Sequence, residues 1–130
     1  MTGKRFLQAV VLCALILSAA ACSSELKLTE ATDPNDLIER EVVMSEYKIE
    51  PAHIKVPVNA TVRFVIGNEG NFTHEFRILT DPNKVIEIAP KSEDRMDVVF
   101  DKPGEYEFAD TTSNNEKLGM KGTISVESVE

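Results

Sequence analysis

What most limits this chain is a two-residue rhythm. Val62, Phe64 and Ile66 recur at alternate positions within Thr61-Val62-Arg63-Phe64-Val65-Ile66, and His74, Phe76 and Ile78 alternate with Glu75, Arg77 and Leu79. Met96, Val98 and Phe100 alternate with Asp97, Val99 and Asp101, and the rhythm returns in Glu105-Tyr106-Glu107-Phe108 and from Gly122 to Val126. Side chains along a strand point to opposite faces in turn, so this pattern in β-branched and aromatic residues predicts strands with one buried face. Turn formers punctuate it, in Gly67-Asn68-Glu69-Gly70-Asn71, Asp81-Pro82-Asn83 and Lys102-Pro103-Gly104, with a further short strand over Lys84 to Ile88. About seven or eight such strands predict an all-β sandwich, mostly antiparallel, without long helices. Tyr47, Phe64, Phe76, Phe100, Tyr106 and Phe108 are expected in its core.

The N-terminus follows another rule. Lys4 and Arg5 precede an apolar run from Phe6 to Leu17, which ends in Ser18-Ala19-Ala20-Ala21-Cys22. That run is short for a membrane span and carries the flanks of a secretory signal. Small residues leading into Cys22 resemble a bacterial lipobox, which implies cleavage of residues 1–21 and lipidation of Cys22. The plainer alternative is an ordinary cleaved signal in which Cys22 is incidental. Residues 22–40 read as an acidic tether, in which Asp33-Pro34 could cap a short helical turn through Leu37 and Ile38. The strand-forming domain is expected over 41–130.

Charge and cysteine count narrow the chemistry. The 22 acidic against 14 basic residues give a net charge of −8, which argues against nucleic acid, whose phosphates demand a basic face. Neither a Rossmann nor a P-loop glycine fingerprint occurs. The two cysteines are Cys13, inside the leader, and Cys22, the lipidation candidate. No disulfide and no thiolate ligand is therefore expected in the folded domain.

Several separated segments resemble the small bacterial cupredoxins. Tyr47-Lys48-Ile49-Glu50-Pro51 and Ile54-Lys55-Val56 match the opening strands, and the next strand ends in Asn68-Glu69-Gly70. Thr73-His74-Glu75-Phe76 looks like the His-x-Phe segment, while Gly104 to Phe108 and Gly119-Met120-Lys121-Gly122-Thr123-Ile124 resemble the flanks of the copper loop. This resemblance covers about residues 41–127 and implies a Greek-key β-sandwich. It also implies a ligand set: His74 stands at the first His and Met120 at the axial Met. The Cys position holds Asp110 and the second His position holds Asn115. Blue-copper chemistry depends on a short copper–thiolate bond, so its electron transfer is disfavoured here.

Each candidate has a plain reading as well. Asp110 shares parity with Tyr106 and Phe108 and so faces inward, yet it could simply cap the turn Thr111-Thr112-Ser113-Asn114. His74 could be a half-buried structural histidine. Met120 could be core filler. Asn115 and Glu75 are weaker candidates. Glu75 is kept because iron-uptake lipoproteins of the Efe type carry acidic residues near this place. Glu116 is expected to be solvated, and His53 reads as a surface residue. The resemblance thus implies a lipid-anchored, extracytoplasmic protein of the bacterial envelope that binds copper, or iron, through a non-blue site of His74, Asp110 and Met120. Its partners are the membrane and a metal-transport or redox protein. The alternative is a metal-free binding or structural module. Catalysis is not expected, since no nucleophile-and-base set is present.

Overall fold

The computed structural model describes residues 37–129; the leader, Cys22 and the tether up to residue 36 lie outside the described residues. Nine strands form two sheets. The first holds β1 (Leu37–Ser45), β2 (Lys48–Glu50), β4 (Thr61–Asn68) and β7 (Ser92–Val99), in the order β2-β1-β4-β7. The second holds β3 (His53–Pro57), β5 (His74–Ile78), β6 (Val85–Ile88), β8 (Gly104–Ala109) and β9 (Lys121–Glu127), in the order β3-β9-β8-β5-β6. The helical content among these residues is one 3-10 segment, Thr112–Leu118. No described helix is long and apolar enough to cross a membrane.

The alternation read from the sequence is the alternation of burial. Val62, Phe64 and Ile66 are fully buried, as are Phe76 and Phe108. Phe64, Phe76 and Phe108 form a tilted stack across the two sheets, with centroids 5.3 and 5.2 Å apart. Gly122 faces Phe108 across β8 and β9, where an added Cβ would lie 2.3 Å from that ring. Only glycine lets this strand approach so closely.

Pairing is mostly antiparallel, as expected, with two parallel pairs, β1 with β4 and β3 with β9. Two features differ from the sequence reading. Leu37 and Ile38 are strand rather than a helical turn, since pairing with Thr61 and Val62 supplies their backbone partners. Tyr47 is not core: it occupies the two-residue turn Glu46-Tyr47 between β1 and β2, at φ 64°, and is 61% exposed. A hairpin tip presents its side chain to solvent whatever its hydrophobicity, and pattern alone does not reveal which aromatic falls there. Parallel register sets the direction of β1: Leu37 lies opposite Thr61 and Met44 opposite Asn68.

Candidate functional site

One end of the sandwich gathers the loops after β1, β4 and β8, and its interior is polar. Asp110 follows the last residue of β8, and the strand's alternation carries its side chain inward to complete burial. A buried carboxylate is costly unless partners replace its water. Here three nitrogens do so, and against an ionised carboxylate, which only accepts, each must carry the hydrogen. His74 Nδ1 lies 2.7 Å from Asp110 Oδ2, Asn115 Nδ2 donates to the same oxygen at 2.9 Å, and the Thr112 backbone N–H donates to Oδ1 at 2.8 Å. Asp110 thus faces His74 and also caps the turn after it.

The backbone draws the remaining candidates to the same place. Asp110 N–H donates to the Met120 carbonyl at 3.0 Å, and Met120 N–H donates to the Asn115 carbonyl at 3.1 Å. Gly119, at φ 111°, turns the chain out of the 3-10 segment and delivers Met120 to a fully buried position. His74, Asp110, Asn115 and Met120 are therefore assembled from β5, the end of β8 and the connection into β9. His74 is 2% exposed. Its Nδ1 is engaged with the carboxylate, which orients the ring, while its buried Nε2 has no hydrogen-bond partner among the described residues.

Glu75 is brought near but not into this group. Strand alternation sends it to the other side of β5, where Arg77 grips it through Nε at 2.8 Å and Nη2 at 3.0 Å, and the Thr111 hydroxyl donates to it at 2.7 Å. It is 9% exposed. The Arg77 guanidinium holds its carboxyl below the usual range, more than burial raises it. Opposite charges two residues apart on one strand face are the sequence signal for this clamp. Glu116 is half-buried, and its Oε2 is buried without a partner. His53 is exposed on β3, apart from the site.

Two supporting residues were not singled out from the sequence. Asn68, 2% exposed, donates through Nδ2 to the Phe72 and Ile88 carbonyls at 2.8 and 2.9 Å and accepts from Gly70 N–H at 2.8 Å. It pins the loop that delivers His74, and Asn-x-Gly ahead of a strand was the available signal. Glu46 accepts the N–H groups of Asn71 and Phe72, and the Asn71 bond foremost holds its carboxyl below the ordinary value.

Among the described residues no three His, Cys, Asp or Glu side chains are grouped to hold a metal ion. The donors that do converge are one imidazole and one carboxylate, beside the amide of Asn115 and the buried Met120. Such a set lacks sulfur of the thiolate kind.

Comparison with known proteins is consistent on the fold. Auracyanin from Roseiflexus castenholzii, solved in its dithionite-reduced form, superposes with a TM-score of 0.62 at 18% identity, covering 68% of this chain and 96% of that one. Auracyanin B gives 0.63 at 16% identity, over 72% and 90%. A multicopper oxidase from Campylobacter jejuni, a metallo-oxidase, gives 0.60 at 15% identity, over 78% of this chain but 32% of its own length. Among curated proteins there is no match. The family model described as a cupredoxin-like domain matches residues 9–126, nearly the whole sequence, and the chain belongs to that family.

Proposed function

We propose that this is a lipid-anchored, extracytoplasmic protein of the bacterial envelope that handles copper, with iron as the alternative, through a site without thiolate. The observation that carries the reading is the meeting of His74 Nδ1 and Asp110 Oδ2 at 2.7 Å in a nearly dry setting, at the positions where the family resemblance puts its first His and its Cys.

Which metal chemistry fits follows from the donors. A blue centre does not fit, because a carboxylate replaces the sulfur that defines it. A nitrogen-and-oxygen site does, since imidazole and carboxylate both suit Cu(II) and iron, with Met120 as a weak third donor and Asn115 as an amide oxygen. Bound there, the ion would supply exchangeable positive charge and Lewis acidity. His74 and Asp110 are the principal holders, and His74 must release the Nδ1 proton now facing the carboxylate. Asn68 and Glu46 keep the His74 loop in place, and the Glu75–Arg77 clamp fixes Thr111 beside Asp110. The suggested role is storage or delivery to a transport or redox partner, by binding rather than catalysis, with Cys22 carrying the lipid.

A second reading rests on a specific observation. Asp110 already has three N–H donors, so the site is electrostatically complete with no ion, as a metal-free binding or structural module requires. Loading the full chain in detergent with Cu(II), Cu(I), Fe(III), Fe(II) and Zn(II), then desalting and counting metal, separates the two. One equivalent retained by the wild type and lost in His74→Ala is the expected result. Metal retained by neither protein overturns metal handling in favour of the metal-free module.

A further inference from the structure

Beside the His74–Asp110 pair lies a cleft of about 340 Å³. Its mouth is aromatic, with Tyr47 61% and Phe72 69% exposed. Large apolar side chains this open at the rim of a concavity mark surfaces that meet a ligand. Its lining residues carry the Glu46 carboxylate, the hydroxyls of Thr73, Thr112 and Ser113 and the amide of Asn115, and no described Lys or Arg is among them. His74, whose Nε2 is buried without a partner among the described residues, lines it too. Two lining residues, Tyr47 and Ser113, hold left-handed backbone conformations at φ 64° and 54°. Strain of this kind in non-glycine residues gathers where the surrounding structure fixes a binding surface.

The chemistry of the lining selects its occupant. A carboxylate surrounded by neutral acceptors calls for a cation with several N–H donors. Exposed aromatic faces favour a cation that carries an apolar stem. Glu46 Oε1 is taken by the Asn71 and Phe72 amides, which anchors the carboxylate as part of the loop. Oε2 makes no such bond. A quaternary ammonium has no N–H to offer these acceptors, whereas a primary alkylammonium has three.

We infer that the Glu46–Tyr47–Phe72 cleft binds a primary alkylammonium, its charged head against Glu46 and the hydroxyls and its stem between the two aromatic rings. The cleft shares His74 and Asn115 with the metal site proposed above, so its binding is tested on metal-free protein. Its ligand is either a free aliphatic amine or a lysine side chain of a partner, and both present the same group.

The test is an NMR-monitored titration of the full chain in detergent at physiological ionic strength. The probes are 1,4-diaminobutane and Nα-acetyl-lysine methylamide, with tetramethylammonium as the comparison cation. Saturable shifts confined to Glu46, Tyr47, Phe72, Thr112 and Asn115 are expected, together with weaker binding of tetramethylammonium. Glu46→Gln keeps an acceptor for the two loop amides and should weaken binding by about tenfold, the scale of one lost charge-assisted hydrogen bond. Tyr47→Ala, at an exposed turn, should weaken it with the fold unchanged. Tighter binding of the diamine assigns a free amine as the source, and tighter binding of the capped lysine a partner side chain. Shifts scattered over the acidic surface, equal affinity in Glu46→Gln, or equal affinity for tetramethylammonium would each overturn the inference.

Discussion

The middle of the sandwich and its loop end are both dry, yet they are made of opposite materials. In the middle, the fully buried rings of Phe64, Phe76 and Phe108 follow one another with centroids 5.3 and 5.2 Å apart. Burial there is non-directional, scaling with the apolar area removed from water, about 25 cal/mol per Å². At the loop end, Asp110, His74 and Asn68 are as inaccessible, but each depends on named partners at hydrogen-bond distance. Such a network holds only while its donors and acceptors match, and a single unmatched group costs more than a typical bond gains. The difference shows which part of the molecule tolerates change. The apolar middle can keep the strands in place while residues of the end vary, provided each buried polar group there finds partners. For Asp110 those partners include Asn115 and the Thr112 amide.

The largest expected effect tests the middle. Phe76 touches both other rings, so Phe76→Ala should lower unfolding free energy by about 3–5 kcal/mol in urea denaturation. A loss under about 1 kcal/mol would mean that the stack is not the scaffold's main support.

Next comes the polar end. Asp110→Ala strands three donors at once and should cost about 2–3 kcal/mol. Asp110→Asn keeps the shape and an acceptor for Thr112 N–H, so it should cost clearly less. Equal losses for the two variants, in the same denaturation experiment, would show that the retained shape and the Thr112 bond count for little and that the second carboxylate oxygen, facing His74 and Asn115, carries this end.

The smallest effect sharpens the border between the two regions. Glu75→Gln removes one charge of the clamp and should cost about 1 kcal/mol at neutral pH, in line with a partly buried ion pair rather than a surface one. The folded carboxyl titrates below its ordinary 4.5, so the unfolded chain takes up the proton first as pH falls. The wild type's advantage over Glu75→Gln is therefore full at neutral pH and fades as pH drops through the folded value. Urea midpoints of both proteins from neutral to acidic pH read it directly. An advantage that grew on acidification would contradict the clamp.

Much of the scaffold was legible because burial there is periodic. Val62, Phe64 and Ile66, or His74, Phe76 and Ile78, declare their face through parity alone. Parity also turned Asp110 inward, and the family resemblance placed His74 and Met120 at one end. What parity could not convey is who meets whom across the chain. His74 and Asp110 are 36 residues apart, and no local pattern encodes a 2.7 Å contact over that separation. The parallel pairing of β1 with β4 was hidden for the same reason, since Leu37 to Arg40 read as polar tether until a partner strand satisfied its backbone. Tyr47 was misplaced by the converse error. Hydrophobicity was taken as a guide to burial, where a turn tip decided it.

The direction of β1 has a consequence for how the protein presents itself. From Leu37 to Met44 the strand advances by about 23 Å at the usual rise per residue, ending beside Asn68 and the cleft. Leu37, the first described residue, therefore lies at the pole opposite His74, Asp110 and the Tyr47–Phe72 mouth. A link made at Leu37 would attach at that far pole and leave the polar end unobstructed.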